Sequence, residues 1–600
     1  MNILGINFGH DSSACLIQNG VLKVAIEEEK LSRHKSELGF PENATQYIFE
    51  RFGLTEANID IIAFGGFSYN LYSRHDMKHR FFRKKANRYF DLIYRIGAFL
   101  KLCKHRVGEQ NKDFFISLVK QKGYKNAQVV FYKHHLAHAA TAYYPAPFEA
   151  DLVVTCDGHG DGEAFNFYVA DTNKRISLLV GNDYQTSIGQ LYSCVTRFFG
   201  FKPNRHEGKI MGLSAFGKET DLVQKMQSLF FYDQNNLKRY PNTLFEEKYR
   251  IATKEKTLSV RQKISFQALN KTGADYALNS VFLMDWLTQN TVSYRREDVA
   301  YALQKNTERV VLTEIQRILT HYFPKKQVKL ALAGGVFANV KLNQLIRELP
   351  NVDNIFVQPA MSDAGLSLGA AVLAQRETTD NWLDYTFKDA FWGVDFSYKT
   401  DDFIAELRKK QPDLSISRPE NIADLIAQYL VADKIIGFYV SQMEWGPRAL
   451  GRRSIIANPF RREVNAELNR RLHRTEFMPF APSMLAEKAK DYLVDFDPKC
   501  PASDYMTLTY DVKKEYHDVL QAVVHVDGTC RPHIVKKAIN PEYHAILSAF
   551  YAKSGCGAIV NTSFNTHEEP IVATQNNALS ALLERKIDVL ALDGYIIQYI

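Results

Sequence analysis

Two histidines four residues apart, His134 and His138, lie in the Ala-rich segment 134–142. At helical spacing both imidazoles leave one face, as two ligands of a single metal require. The apolar run Leu152-Val153-Val154 then reads as a buried strand delivering Asp157 at its carboxyl end, with Gly158, Gly160 and Gly162 opening the backbone beside it. Strand ends of this kind are where α/β sheets bind ligands. A second strand, Ile355-Phe356-Val357-Gln358, leads to Ser362-Asp363-Ala364-Gly365 and supplies another carboxylate. A histidine pair at this spacing also suits packing or surface exposure. Joined by Asp157 and Asp363 it becomes a candidate site of nitrogen and oxygen donors, suited to Fe(II), Zn or Mn and too poor in sulfur for an iron–sulfur cluster.

A second set of residues is built to grip oxyanions. Glu444-Trp445-Gly446-Pro447-Arg448-Ala449-Leu450-Gly451-Arg452-Arg453 carries three guanidinium groups beside a Gly-Pro turn, and arginine forks hold phosphate or carboxylate bidentately. A solvated basic turn is the alternative. Arg474, Arg531 and the polar cluster Asn561, Thr562, Ser563 and Asn565, at the end of the strand Ala558-Ile559-Val560, follow. Such a cluster can bond an amide or a phosphate, or serve as a capped turn.

The elements that must position these groups are legible in outline. Asn2–Asn7, Ala14–Gln18 and Val21–Glu27 are short apolar runs separated by Gly9-His10-Asp11-Ser12-Ser13 and Asn19-Gly20, which predicts an antiparallel meander. The first turn can bring backbone N–H groups to a phosphate. Ser187-Ile188-Gly189 precedes a helix, and His206-Glu207-Gly208-Lys209-Ile210-Met211-Gly212 reads as a polar, Gly-punctuated turn that lacks the Walker A pattern. Helical periodicity covers Val299–Leu319. The strand Val328–Ala333 runs into Gly334-Gly335-Val336-Phe337-Ala338-Asn339, a turn that could admit a nucleotide. A boundary falls near residues 385–400, dividing the chain into segments 1–388 and 389–600.

At 600 residues the chain is too long for one core. With 46% hydrophobic and 24% charged residues it has the composition of a soluble globular protein. It shows no apolar run of bilayer length and no basic lead-in with a cleavage site, which predicts a cytoplasmic protein with no membrane partner. Its seven cysteines are scattered without a CxxC pair, so reduced thiols are expected. Much of the net charge of +8 arises between Arg74 and Arg106, where basic residues interleave with aromatics. That segment could meet nucleic acid, anionic lipid or an acidic substrate; a helical insertion with packed aromatics and solvated charges is the preferred reading.

Three Gly-containing turns after apolar strands, around Asp11, Asp157 and Gly334, resemble the pattern of an actin/hexokinase-type ATPase. Taken with Asn7–Ala14, Glu27-Glu28-Glu29, Gly39-Phe40-Pro41, His134–Ala139, Glu207–Leu213, Ala333–Val336 and Ser362–Gly365, the chain resembles the O-carbamoyltransferase family of the nodulation-factor, cephem and tobramycin carbamoylating enzymes. Its second segment matches that family's YrdC-like carbamoyl-AMP-forming domain. It departs from the family at Leu472, Thr475 and Met478, where Lys, Glu and Arg are common, and at Arg452, where Asn is usual.

The resemblance implies an α/β architecture with an actin/hexokinase-type domain over 1–388 and a YrdC-like domain over 389–600. It implies ATP and carbamoyl phosphate as co-substrates, a carbamoyl-adenylate intermediate, and a small-molecule hydroxyl as acceptor. By the same token the metal of His134, His138, Asp157 and Asp363 is Fe(II) or another divalent ion, with Mg as a further companion of the nucleotide. Ser12, Gly158, Lys209, Gly334, Gly335 and Asn339 are expected at the nucleotide. Arg448, Arg453, Arg474 and Arg531 are expected on phosphate, Asn561, Ser563 and Asn565 on the carbamoyl group, and His10 or Asp11 as base. A homodimer is compatible with these expectations. The alternative is an adenylate-forming, tRNA-modifying or nucleic-acid-binding ATPase-fold protein, though nucleic acid is not the expected partner.

Overall fold

The opening apolar runs form the meander that their turn residues predict: β1 (Asn2–Asn7), β2 (Ser13–Gln18) and β3 (Val21–Glu27). Almost every side chain in β1 and β2 is buried, as in a sheet covered on both faces. β4 (Ile61–Gly65) adds parallel to β1, and β5 (Gln128–Tyr132) adds parallel to β4, giving the order β3-β2-β1-β4-β5. These positions come from a computed structural model, which describes residues 1–66, 109–233, 236–239, 275–379, 386–474 and 480–600. The basic segment between Arg74 and Arg106, and the departures Thr475 and Met478, lie outside the described residues.

The scheme then repeats. β6 (Leu152–Gly160), β7 (Glu163–Ala170) and β8 (Ile176–Asp183) form a second meander, followed by a hairpin of β9 (Phe230–Asp233) and β10 (Asn236–Arg239). β11 (Val328–Ala333) and β12 (Val352–Val357) extend it in parallel, giving β12-β11-β6-β7-β8, the same order of roles as in the first sheet. Each sheet is followed by a helix, His134–Tyr143 after β5 and Leu366–Thr378 after β12, and these two pack on each other. Small residues set the spacing: a Cβ at Gly369 would stand 1.9 Å from the Ala137 carbonyl oxygen, and one at Gly5 would stand 2.0 Å from that of Ser367. The site-bearing helices are thereby fixed against a rigid, buried frame.

Beyond the second sheet the chain builds an eight-stranded mixed sheet. Its strands are β13 (Leu414–Ser417), β14 (Ile436–Tyr439), β15 (Arg453–Ala457), β16 (Ala481–Leu485), β19 (His533–Val535), β20 (Ala558–Ser563), β21 (Val589–Leu592) and β22 (Tyr595–Tyr599), in the order β13-β22-β21-β14-β15-β20-β16-β19. A separate pair, β17 (Tyr510–Asp511) and β18 (Thr529–Cys530), flanks it. Among the described residues no helix is long and apolar enough to cross a membrane, and six cysteines are free and buried.

Two local expectations are corrected. The stretch 206–212 is not an open turn: Glu207–Ser214 is helical, with Ile210 and Leu213 buried. Gly208 costs such a helix about 1 kcal/mol relative to Ala, and packing against the helix Arg296–Tyr322 overrides that preference. Nor does the strand at Ala558 stop before the polar cluster. β20 continues through Asn561, Thr562 and Ser563, whose backbones pair with β15.

Candidate functional site

The helix His134–Tyr143 begins beside a side chain from another segment, since the His134 N–H donates to Asp161 Oδ2 at 2.8 Å. It carries His134 and His138 toward β6, where the pairing register shifts between Cys156 and Gly160 and lifts Asp157 out of the ladder. Bulges of this kind re-aim side chains next to active sites. A Cβ at Gly160 would stand 2.1 Å from the His134 ring, so only glycine leaves room for that imidazole. Asp363 arrives from the turn before the helix Leu366–Thr378.

These four side chains converge, their candidate ligand atoms all within 4.8 Å of one another. His134 Nε2 and His138 Nε2 are 3.1 Å apart; Asp157 Oδ2 is 3.3 Å from each and Asp363 Oδ1 is 3.5 Å from each. A divalent ion with bonds of about 2.0–2.2 Å has tetrahedral ligand edges of about 3.3–3.6 Å, and octahedral cis edges of about 2.8–3.1 Å. The spacing fits. Asp363 Oδ1 is buried and accepts no hydrogen bond, which leaves an acceptor aimed into the cluster. Two imidazoles and two carboxylates thus suit Fe(II), Zn or Mn.

Electrostatics around the cluster follow from its carboxylates. Burial alone would lower His134, but Asp363 and Asp157 outweigh it and raise the ring to about 9. Burial would raise Asp157; bonds and charges from His134 and His138 instead hold it well below the usual carboxylate range. His10 Nε2 lies 3.2 Å from Asp363 Oδ2, and its Nδ1 lies 3.7 Å from Asp11 Oδ2. The packing that lowers His10 is likewise overcome by Asp363 and Asp11, to about 10. Sequence reasoning missed His159, which is close enough to feel His134, Asp157, Asp363 and His10; burial and His134 lower its ring. It sits between glycines with no spacing rule to mark it. Asp161, by contrast, could have been found from its Asp-Gly turn.

The expected nucleotide residues divide. Gly334 and Gly335 adjoin the cluster: a Cβ at Gly334 would stand 2.2 Å from the Cys156 carbonyl oxygen, and one at Gly335 would stand 3.0 Å from Asp157 Oδ1. Gly158 faces open space. Two others bond within the fold. Ser12 Oγ donates to the Gly39 carbonyl at 2.6 Å, and Asn339 caps the helix Val340–Arg347 while exchanging amide bonds with Gln304. Lys209 lies on the helix Glu207–Ser214 with its Nζ 5.7 Å from the Phe201 ring centre.

The arginines also separate. Arg453 is fully buried, donates to the carbonyls of Val440, Ser441 and Arg452 at 2.9–3.0 Å and lies 3.5 Å from the Tyr439 ring centre. Its two Nη groups are bonded to backbone carbonyls, and its Nε is buried without an acceptor. Arg448 pairs with no carboxylate among the described residues. Its Nη2 donates to the Ala338 carbonyl at 3.4 Å, its Nε is buried without an acceptor, and burial together with the nearby Arg531 guanidinium holds it well below the usual arginine value. Two close guanidiniums mark a place for an anion. It lies against the turn Gly334–Asn339, so Arg448 reaches out of its own segment. Arg474 is elsewhere, donating to Thr562 Oγ1 at 2.6 Å and Asn565 Oδ1 at 2.9 Å, with Ser563 Oγ bonded to the same Asn565. Asn561 is buried beside Ala449 and Ser483, and its Oδ1 has no partner.

Family models match almost the whole chain, the carbamoyltransferase N-terminus over residues 2–372 and the carbamoyltransferase C-terminus over residues 427–599. This chain belongs to the carbamoyltransferase family. It is an enzyme, a transferase of carbamoyl groups. An uncharacterized protein of Methanocaldococcus jannaschii is 29% identical over 598 residues, covering 99% of both chains. Nodulation protein NolNO of Sinorhizobium fredii is 28% identical over 599 residues, which is 98% of this carbamoyltransferase and 79% of the relative. Among solved structures, HypF of T. kodakarensis covers 62% of this chain and 47% of its own at 12% identity and a TM-score of 0.30, a likeness on which nothing here rests.

Proposed function

We propose that this carbamoyltransferase uses ATP and carbamoyl phosphate to O-carbamoylate a small-molecule hydroxyl through a carbamoyl-adenylate. Segment 1–388 is read as an actin/hexokinase-type domain and segment 389–600 as a YrdC-like one; the duplicated sheet order supports the first assignment. In this scheme carbamoyl phosphate is hydrolysed to carbamate and phosphate, and a carbamate oxygen attacks the α-phosphorus of ATP as pyrophosphate leaves. The acceptor hydroxyl then attacks the carbonyl carbon; the bond to AMP breaks and the hydroxyl proton passes to a base. Carbamate and its mixed anhydride decompose in water, so both steps need a closed path.

Within this reading Arg448 and Arg531 carry phosphate charge, and fixed guanidiniums do so with little reorganisation. Arg474, Ser563 and Asn565, with Asn561, orient the carbamoyl group. His134, His138, Asp157 and Asp363 would hold Fe(II) or another divalent ion, which when bound supplies a Lewis acid and template for nucleotide oxygens. His10 or Asp11 is the candidate base; His10 is held protonated by Asp363 and Asp11 while the Asp11 carboxyl is lowered, so Asp11 is the partner that stands ready to take a proton. The observation that carries the reading is the guanidinium of Arg448 lying against the Gly–Gly turn beside the His and Asp cluster. The test is mass spectrometry of small-molecule extracts incubated with enzyme, ATP and labelled carbamoyl phosphate. A labelled carbamoyl mass addition is expected; no labelled product in any extract, with carbamoyl-independent turnover of ATP, would overturn it.

A further inference from the structure

The turn 444–448 connects β14 to β15 of the C-terminal sheet. Within its own segment the Trp445 backbone N–H donates to the Ala390 carbonyl at 2.7 Å, and the next residue meets the N-terminal segment. Gly446 has φ 116°, in the region that favours glycine, and a Cβ there would stand 2.7 Å from the Pro359 carbonyl oxygen. Its N–H donates to Glu27 Oε1 at 3.0 Å, a bond across 419 residues. Glu27 closes β3 opposite Ser13, next to the turn that carries His10 and Asp11, and is only 5% exposed. The turn is shaped from within by Glu444, whose Oε1 accepts from Leu450 at 2.7 Å and Arg453 at 3.2 Å. From without, the polar anchor is Glu27.

A carboxyl buried this deeply is unfavourable unless its bonds compensate. Lys30 Nζ lies 4.0 Å from Glu27 but 2.6 Å from Glu29, so Glu29 is its closer partner. Burial pushes the Glu27 carboxyl up to about 7 against the pull of Lys30, so a neutral side chain with the same carbonyl oxygen is close to what the site already accommodates. Only two residues beyond the anchored amide stands Arg448.

We propose that Glu27 is a positioning residue for carbamoyl transfer: by accepting the Gly446 N–H it fixes the turn that aims Arg448 at the segment Gly334–Asn339. An N-terminal carboxyl thereby sets the place of a C-terminal phosphate-binding arginine. This rests on the reading of Arg448 and Arg531 as a phosphate cradle, and the experiment separates the two claims.

Inorganic pyrophosphate is titrated calorimetrically into the full chain as wild type, Glu27→Ala, Glu27→Gln, Arg448→Ala and the double variant Glu27→Ala/Arg448→Ala. Glu27→Ala is expected to weaken binding about tenfold or more, since misplacing a positioned group by about 1 Å costs up to about 100-fold. The double variant should bind no more weakly than Arg448→Ala, and Glu27→Gln should stay within about twofold of wild type, because its amide oxygen still accepts the bond. Hydrogen exchange over residues 444–450 should quicken in Glu27→Ala and not in Glu27→Gln. Wild-type binding with an undisturbed Glu27→Ala, or a loss that adds in full to that of Arg448→Ala, overturns the positioning role. No binding to wild type removes the cradle itself, and the role with it. Where Glu27→Ala does not fold, Glu27→Met fills the volume without accepting the bond and takes its place.

Discussion

Replacing His138 by Ala removes the most deeply buried of the four convergent donors. Its Nε2 makes contacts of 3.1, 3.3 and 3.5 Å with His134, Asp157 and Asp363, so its loss leaves an open triangle where a closed set stood. Changes in the shell behind metal ligands already cost about 10–100-fold in affinity, which sets a floor for removing a ligand outright. At about 1.4 kcal/mol per tenfold, His138→Ala should weaken the ion by at least about 1.4–2.7 kcal/mol. The assay is elemental analysis of anaerobically purified wild type, His134→Ala, His138→Ala and the double variant, followed by competition with a graded chelator. About one divalent ion per wild-type chain is expected, with little or none in the double variant. A second reading comes from thermal unfolding: an ion at about 100 times its Kd stabilises the folded state by about 2.7 kcal/mol, so Tm should rise with Fe(II), Mn or Zn in wild type alone. Unchanged metal content in the double variant, or a wild-type Tm indifferent to all three ions, would refute the site.

Gly160→Ala should empty the metal site while keeping the fold, because the added methyl lands on the His134 ring; metal content and circular dichroism together check this. Arg448→Ala should cut carbamoyl-dependent release of pyrophosphate from ATP by about 100-fold or more. Arg453→Ala should instead destabilise the protein, on the order of 3 kcal/mol, by stranding buried carbonyls, as a shift in denaturant midpoint would register. Glu27 has a folded pKa of about 7, above its ordinary 4.5, so its share of stability is fully present below about pH 4.5 and is lost as pH rises through 7. With Lys30 and Glu29 as its charged neighbours, the loss is on the order of 3 kcal/mol. Denaturant midpoints for wild type and Glu27→Gln should therefore diverge between about pH 4.5 and 7, with wild type falling further.

Legibility in the sequence tracked the range of the interaction that decides each feature. The meander and the strands leading to Asp157 and Asp363 are written in local apolar runs and turn residues, and the His134/His138 pair in helical spacing. The helix Glu207–Ser214 was hidden because two glycines outvote its buried Ile210 and Leu213 until the packing helix Arg296–Tyr322 is present. Arg448 and Arg453 look alike in the chain. Only the pairing of β14 with β15 turns one inward to backbone carbonyls, while the turn leaves the other facing Ala338. Glu27 stands in the Glu27-Glu28-Glu29 run that carries the family resemblance, but no local pattern names its partner, which is 419 residues away.

The duplicated sheets bear on how the cluster can move. His134 and His138 follow the last strand of the first repeat, whereas Asp157 and Asp363 come from the first strand and the end of the second. Neither repeat holds more than two of the four donors, so a fragment ending before residue 150 has no closed coordination set. The contacts of 3.3–3.5 Å between the histidines of one repeat and the carboxylates of the other join the two halves. An ion held by all four would thus cross-link the two repeats, and its removal should loosen one against the other, as hydrogen exchange in the helices His134–Tyr143 and Leu366–Thr378 would show.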